Sequence, residues 1–158
     1  MQAAGYYADA SGNDHAYIFQ GGTFTLISTP GVSSQATGIN NSGNISGFYI
    51  DGAGVNHGFL IRGGVFKTLD FPGGTFTQAL GLNNQRQVVG FYMDAAGNTH
   101  GFLYDVATGV YESVNDPMGV DSTLINGIND VGQITGFYVD PKTGNTNGFV
   151  GQIVRCFP

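Results

Sequence analysis

The sequence predicts an all-β protein of the β-propeller type, built from repeated four-stranded antiparallel blades, with about three blades and one further hairpin in the chain. Four similar segments carry this prediction: GYYADASGNDHAYIF, GFYIDGAGVNHGFLI, GFYMDAAGNTHGFLY and GFYVDPKTGNTNGFV, which begin at Gly5, Gly47, Gly90 and Gly136. The copies start 42, 43 and 46 residues apart, and a second motif keeps step with them at Gly38, Gly81 and Gly127. A period near 43 residues with four short apolar segments is typical of propeller blades.

Each repeat contains four predicted strands. The first, as in NISGFYID, mixes β-branched and aromatic residues. An Asp-x-x-Gly turn follows it, in which the Asp side chain can bond its own backbone and the Gly can adopt a positive φ. The second strand (HGFLIR) and the third (VFKTLD) are joined by a glycine turn, and a proline closes the third at Pro30, Pro72 and Pro117. The fourth strand ends in GIN or GLN and leads into the next copy.

Apolar residues lie on both faces of the predicted strands. Phe66 and Leu69 fall on opposite faces of one strand, and Tyr49 and Ile50 on opposite faces of another. In a sheet with one solvent-exposed face, apolar and polar residues would alternate more regularly along each strand. We therefore expect each sheet to be covered on both sides by its neighbours. No segment combines a 3.6-residue apolar stripe with a capping signal, so no helix is predicted.

The repeats define one domain over residues 1–158, with copies at 5–46, 47–89 and 90–135 and a partial copy at 136–158. Counted in this way, the chain has three meanders of four strands and one hairpin, whereas closed propellers typically have 4 to 8 blades. Three architectures stay open: a closed ring of three blades, a homo-oligomer that completes a larger ring, and part of a longer array. The single cysteine, Cys156, cannot form an internal disulfide.

Composition limits the partners. The 158 residues include 27 Gly, 13% aromatic and 10% charged residues, which describes a compact, turn-rich protein. A net charge of -6 with five Lys and Arg leaves nothing to neutralise a phosphate backbone, so nucleic acid and anionic membrane surfaces are not expected partners. The sequence also lacks the roughly 20 consecutive apolar residues of a membrane span. Its opening residues, MQAAGYYADA, do not resemble an export signal, so we expect none to be present.

The motif Asp-x-x-Gly-x-x-His-(Ala or Gly)-(Phe or Tyr), followed by Gly-Ile-Asn-x-x-Gly-x-Ile-x-Gly, resembles the bacterial extracellular HAF repeat. The His-Ala-Phe core of that family corresponds to the segments that begin at His15, His57 and His100 and, in degenerate form, at Asn147. The resemblance covers essentially the whole chain. It implies a propeller-like architecture and an extracellular or periplasmic location, and it implies no particular activity.

Three histidines occupy one equivalent position in the repeats: His15, His57 and His100. If the repeats close around an axis, the three imidazoles form a ring that could hold Zn²⁺ and activate a water molecule for hydrolysis. These residues are therefore candidate catalytic and metal-binding residues. The alternative, which we favour, is that each histidine ties a turn to a neighbouring strand and that no cofactor is present.

Other recurring residues have a structural and a functional interpretation. Candidate ligand-binding residues are Tyr7, Tyr49, Tyr92, Asp9, Asp51, Asp94 and Arg86. The tyrosines could pack in the core or bond sugar hydroxyls, and the aspartates could simply form turns. Asn40, Asn83 and Asn129 are expected to cap the turns after the GIN strands. Arg86 replaces the glycine of that turn, so either the turn changes type or the cation is retained to contact an anionic ligand.

Three functions fit this sequence. The first is a binding module that recognises glycans, other surface polymers or a small molecule through equivalent sites on each repeat. The second is a small hydrolase or lyase with a central His and Asp site, with or without a bound metal ion. The third is a self-assembling structural surface protein. We place the binding module first because its polar residues recur in register, whereas catalysis normally needs one asymmetric group of residues.

Overall fold

The structure is a computed structural model that describes residues 2–153, and Cys156 lies outside this range. The first sheet contains β1 (Gln2–Ala8), β2 (Asp14–Gln20) and β3 (Thr23–Leu26). The second contains β4 (Ser33–Ile39), β5 (Ile45–Ile50), β6 (Asn56–Arg62) and β7 (Val65–Leu69). The third contains β8 (Phe76–Leu82), β9 (Gln87–Met93), β10 (Thr99–Asp105) and β11 (Val110–Val114). The fourth contains β12 (Leu124–Ile128), β13 (Gln133–Val139) and β14 (Thr146–Gln152).

All four sheets are antiparallel meanders, and the predicted all-β, blade-type class is confirmed. The strand count over residues 2–153 is 14, as the sequence predicted, but the strands are grouped as 3, 4, 4 and 3. The sequence had placed each GIN strand at the end of a meander. In the structure it begins the next sheet, as Ala36 of β4 pairs with Gly47 of β5. The reason is that a short turn makes a hairpin of these two strands, whereas the proline segment crosses between sheets.

Three apolar cores hold the sheets together, and each lies between successive sheets. The first is formed by Ala16, Ala36, Ile45, Tyr49 and Phe59. The second is formed by Leu60, Leu69, Ala79, Val88, Tyr92, Phe102 and Tyr104. The third is formed by Val89, Leu103, Ile125 and Ile134. The second and third sheets are therefore covered on both faces, as the apolar pattern predicted for every sheet, whereas the first and fourth sheets each pack on one neighbour among the described residues. None of the described elements is a helix that could span a membrane.

The glycine that begins each GFY segment allows two strands to come very close. A Cβ atom at Gly47, Gly90 or Gly136 would overlap a carbonyl oxygen of the adjacent GIN strand, at Gln35, Gln78 and Leu124 respectively. Each pairing of a GIN strand with its partner also contains a register shift, such as that between Ala36 and Gly38. A side chain at these glycines would push the innermost strand away, so the motif is a packing requirement.

The turns that end the GIN strands are capped as predicted. The Oδ1 atom of Asn40 accepts hydrogen bonds from the backbone N–H groups of Ser42 and Asn44, both at 3.0 Å. Asn129 caps its turn in the same manner, and Asn83 accepts the N–H of Gln87 at 2.9 Å. Asn83 is the most enclosed of the three, with an exposed fraction of 3%. These bonds satisfy turn amides that the strands cannot pair.

The same turns are bonded from sheet to sheet. Asn40 Nδ2 donates to the carbonyl oxygen of Asn83 at 3.1 Å, and Asn83 Nδ2 donates to that of Asn129 at 3.0 Å. A second row runs beside the first: Asn41 N–H donates to Asn84 Oδ1 at 2.8 Å, and Asn84 N–H donates to Asp130 Oδ1 at 2.8 Å. We call these two rows the asparagine ladder. It fixes the relative height of three successive sheets at their inner edge.

Asn83→Ala removes the central rung of the ladder. It leaves the buried N–H of Gln87 without its partner, while the Asn129 carbonyl keeps the N–H of Gly132, so we expect a loss of about 2–3 kcal/mol in the free energy of unfolding. Asn129→Ala is the matched control, because its side chain is exposed and caps only its own turn. We expect that variant to lose about 1 kcal/mol. Urea unfolding measures both, and equal losses would contradict the role of the ladder.

Candidate functional site

The three predicted histidines lie on equivalent hairpins, joining β1 to β2, β5 to β6 and β9 to β10. Each histidine Nε2 is bonded to Oδ2 of the aspartate that begins its own turn. The distances are 2.9 Å for His15 and Asp9, 3.4 Å for His57 and Asp51, and 3.2 Å for His100 and Asp94. The His-Asp pairs are therefore repeated once per hairpin, and each one locks a turn.

The second oxygen of each turn aspartate is also used. Asp9 Oδ1 accepts the N–H groups of Ser11 and Asn13, and Asp94 Oδ1 accepts those of Ala96 and Asn98. The hydrogen bond from His15 is the main reason why the pKa of Asp9 falls to about 2. For Asp94 the main cause is the Asn98 amide, and its pKa also falls to about 2. Both carboxylates are ionised at neutral pH and are occupied by their own hairpins.

The predicted tyrosines pack on the same histidines. The ring centroids of Tyr7, Tyr49 and Tyr92 lie 5.3, 5.0 and 5.2 Å from those of His15, His57 and His100. Tyr49 and Tyr92 are buried, and their hydroxyl groups bond to side chains of the outermost strands β7 and β11, Thr68 and Ser113. Tyr7 is half exposed. In the second and third sheets these tyrosines belong to the core, and their hydroxyls have partners within the sheet.

The proposed ring of three histidines is not formed. Within residues 2–153, no group of three or more His, Cys, Asp or Glu side chains is arranged to hold a metal ion. The physical reason is that His15, His57 and His100 each turn to the aspartate of their own hairpin, so the repeats keep them apart. The sequence interpretation in which each histidine ties down a turn agrees with this geometry.

One histidine has a second carboxylate. His57 Nδ1 lies 3.0 Å from Asp70 Oδ2, in addition to the bond between its Nε2 and Asp51. Burial by itself would lower the pKa of His57, but the bond to Asp70 and then that to Asp51 outweigh it, so the pKa is raised. The third sheet has Asn115 at the position of Asp70, and there His100 Nδ1 is buried without a hydrogen-bond partner among the described residues.

Arg86 keeps the left-handed conformation of the glycine it replaces. Its φ is 63°, beside 72° for Gly43 and 78° for Gly132, so the turn does not change type. The backbone carbonyl of Arg86 accepts the N–H of Val106 at 2.9 Å. A non-glycine residue in this region of φ is strained by about 1–2 kcal/mol. In this protein the strained residue lies in the ladder turn of the third sheet.

A groove that the sequence analysis missed lies between the outer strands of the second sheet and the third sheet. Its volume is about 410 Å³, and its lining includes Leu60, Arg62, Val65, Lys67, Tyr104 and Val106. Lys67 Nζ donates to the hydroxyl of Tyr104 at 2.6 Å and lies 5.1 Å from the centre of its ring. Neither Arg62 nor Lys67 belongs to the His–Asp ion pairs of residues 2–153.

The charge of this groove is particular to the second sheet. The strand registers place Thr25 of the first sheet and Glu112 of the third at the position of Lys67. Arg62 corresponds in the same manner to Gln20 and Asp105. Comparing the copies column by column would have revealed the pair, because Arg62 and Lys67 lie five residues apart in the second copy at positions where the first and third copies have no cation.

Comparison with known proteins gives one kind of result, a structural one. No protein-family model matches the chain, and no curated protein matches it. Among solved structures, the fold is similar to that of a protein described as a TolB of Agrobacterium tumefaciens, with a TM-score of 0.59 and 17% sequence identity. The match covers 94% of this chain and 61% of the TolB chain, so the chain spans less than two thirds of that protein. This likeness establishes the propeller-like fold and nothing about activity.

Asp70→Asn is expected to lower the pKa of His57, because it replaces a carboxylate that stabilises the imidazolium ion with a neutral amide. NMR titration of the ring protons measures this change. Glu112→Gln is the control, since it removes one exposed charge from another sheet. An equal shift in both variants would contradict the local role of Asp70.

The same pair has a predictable effect on stability. Because the pKa of folded His57 is raised above its ordinary value of 6.5, its contribution to stability is fully present below pH 6.5 and is lost as the pH rises through the folded value. The stability difference between the wild-type protein and Asp70→Asn should therefore shrink as the pH increases. Urea unfolding at pH 5.5 and 8.5 tests this direction, and a growing difference would contradict it.

Proposed function

We propose that this chain is the propeller-type binding module of an exported protein and that its ligand is an acidic glycan held in the groove between the second and third sheets. The observation that carries the proposal is the pairing of Arg62 with Lys67 over an apolar floor. In a chain with a net charge of -6, this pair gives one groove the opposite local charge. Local cations of this kind attract and orient a carboxylate.

The lining suits a sugar that carries a carboxylate. The planar guanidinium of Arg62 can bind a carboxylate through two parallel hydrogen bonds, and Lys67 adds a point charge beside it. Val65 and Val106 offer apolar surface to the C–H face of a sugar ring. A volume of about 410 Å³ falls within the usual range of ligand pockets. The groove is open along one side, as a binding site for an extended polymer must be.

The location outside the cytoplasm is supported by the resemblance to the HAF repeat. That family is bacterial and extracellular, and the propeller-like fold agrees with the architecture that it implies. We therefore propose that the module acts in the extracellular space or the periplasm, where acidic surface polymers are accessible.

Residues that recur in every copy and residues that differ between copies have different roles in this function. The turn aspartates are bonded within their own hairpins, and Tyr49 and Tyr92 are bonded within their own sheets, so these residues support the scaffold. The groove residues differ from sheet to sheet, as a specialised site requires. The hydrolase alternative has less support, because the histidines that it needs are held apart.

Replacing the cations by the first-sheet residues, in the double variant Arg62→Gln and Lys67→Thr, should weaken binding of an oligouronate by at least about tenfold. The expected loss is electrostatic, because the apolar floor is retained. Isothermal titration calorimetry with an oligouronate and its carboxyl-reduced form measures this effect, and the reduced form should bind poorly to both proteins. Lys142→Thr is the control, since it removes an exposed cation from a distant turn. Undiminished binding by the double variant would refute the proposal.

A further inference from the structure

A third cation lies at the same end of the sheets as the groove. Arg62 ends β6, Arg86 directly precedes β9, and Val106 directly follows β10. These positions share one end, because β9 runs antiparallel to β10 and because β6 and β10 are the equivalent strands of neighbouring sheets. Lys142, in the turn between β13 and β14, lies at the other end. With Lys67 in the groove, three of the five Lys and Arg residues belong to this one region.

The backbone joins Arg86 directly to the lining of the groove. Arg86 lies opposite Val106 at the end of the pairing between β9 and β10, and the N–H of Val106 donates to the carbonyl of Arg86 at 2.9 Å. Val106 lines the groove and packs on the same apolar core as Tyr104. Tyr104 and Val106 are two residues apart, which is about 7 Å along a strand. Arg86 therefore stands one such step along the groove from the level of Tyr104.

The carboxylate that lies between these two residues in the chain belongs to the other face of the sheet. Side chains alternate along β10, so Asp105 falls on the opposite face from Tyr104 and Val106. Its Oδ1 atom accepts the N–H groups of Ala107 and Thr108 at 2.8 and 3.1 Å. Asp105 therefore supports the turn between β10 and β11, and its negative charge is directed away from the groove.

The fold does not require an arginine at position 86. Gly43 and Gly132 form the same turn in the neighbouring sheets, and the bond from Val106 is made to a backbone carbonyl, which a glycine would supply equally. At a φ of 63° an arginine is strained where a glycine is not. Strain of this kind is concentrated at binding sites and active sites. Residue 86 is exposed, so its side chain is accessible to a ligand.

We infer that Arg86 forms a second anion subsite of the groove and that the ligand carries at least two acidic sugars in succession, as an oligomer or polymer of uronic acids does. The inference rests on the proposed function, because it extends the groove in which Arg62 and Lys67 bind the first carboxylate. The guanidinium of Arg86 binds the next carboxylate through two parallel hydrogen bonds. A single acidic sugar occupies the first subsite alone.

The test compares the whole chain with its Arg86→Gly variant and uses a uronic acid monosaccharide and the corresponding trimer as ligands. NMR titration of the backbone amides measures both affinities, including millimolar ones. The wild-type protein should bind the trimer at least about tenfold more tightly than the monosaccharide, because the trimer reaches the second subsite. In Arg86→Gly this ratio of affinities should fall by about tenfold. A ratio equal to that of the wild-type protein would overturn the inference.

Urea unfolding distinguishes a lost contact from a damaged fold. Arg86→Gly relieves the strain of the turn, so its unfolding midpoint should rise while its affinity for the trimer falls. Arg86→Ala is the matched control, because it loses the guanidinium and keeps the strain; it should bind the trimer as weakly as Arg86→Gly without the gain in stability. Trimer binding by Arg86→Ala equal to that of the wild-type protein would also overturn the inference. Failure of the wild-type protein to bind either ligand would overturn the proposed function as well, whereas an unchanged ratio in Arg86→Gly would leave it standing.

Discussion

The asparagine ladder is the constraint on which the arrangement of the sheets depends. Each capping asparagine closes its own turn through Oδ1, and Asn40 and Asn83 also bond to the next sheet through Nδ2. Apolar cores drive the sheets together, but burial is non-directional and does not fix their relative height. Directional hydrogen bonds do so, and their repetition from turn to turn gives successive sheets the same offset.

Residues that recur in every copy mostly serve the scaffold, and residues that differ between copies create the surface features. The His-Asp pairs recur and are satisfied inside their hairpins. Asp70 beside His57, and the cations at 62 and 67, occur in the second sheet without counterparts of the same chemistry. A repeat can change an outer position without disturbing the turns, because the outer strands do not take part in the ladder. Specialisation of one groove is therefore compatible with a uniform fold.

The candidate site could be foreseen only in part. The sequence showed that His15, His57 and His100 are equivalent, and both a metal ring and a set of turn locks were consistent with that pattern. Two facts that no spacing reveals decided between them: the Nε2 atoms face the aspartates of their own turns, and the histidines stay on separate sheets. The groove escaped notice for a related reason. Arg62 and Lys67 lie on different strands, and Tyr104 is supplied by another sheet.

By itself, the sequence determined the strand content, the turn chemistry and the two-sided burial of the second and third sheets, because each depends on local residue patterns. The 14 strands, the Asp-x-x-Gly turns and the asparagine caps all follow from residues close together in the chain. Only the tertiary structure decided where one sheet ends and the next begins. A strand in a series of antiparallel strands can pair with the strand before it or with the strand after it in the chain. Residue composition does not show with which of the two it pairs. The GIN strand pairs forward because its hairpin turn is short and because Gly47 and its equivalents admit it.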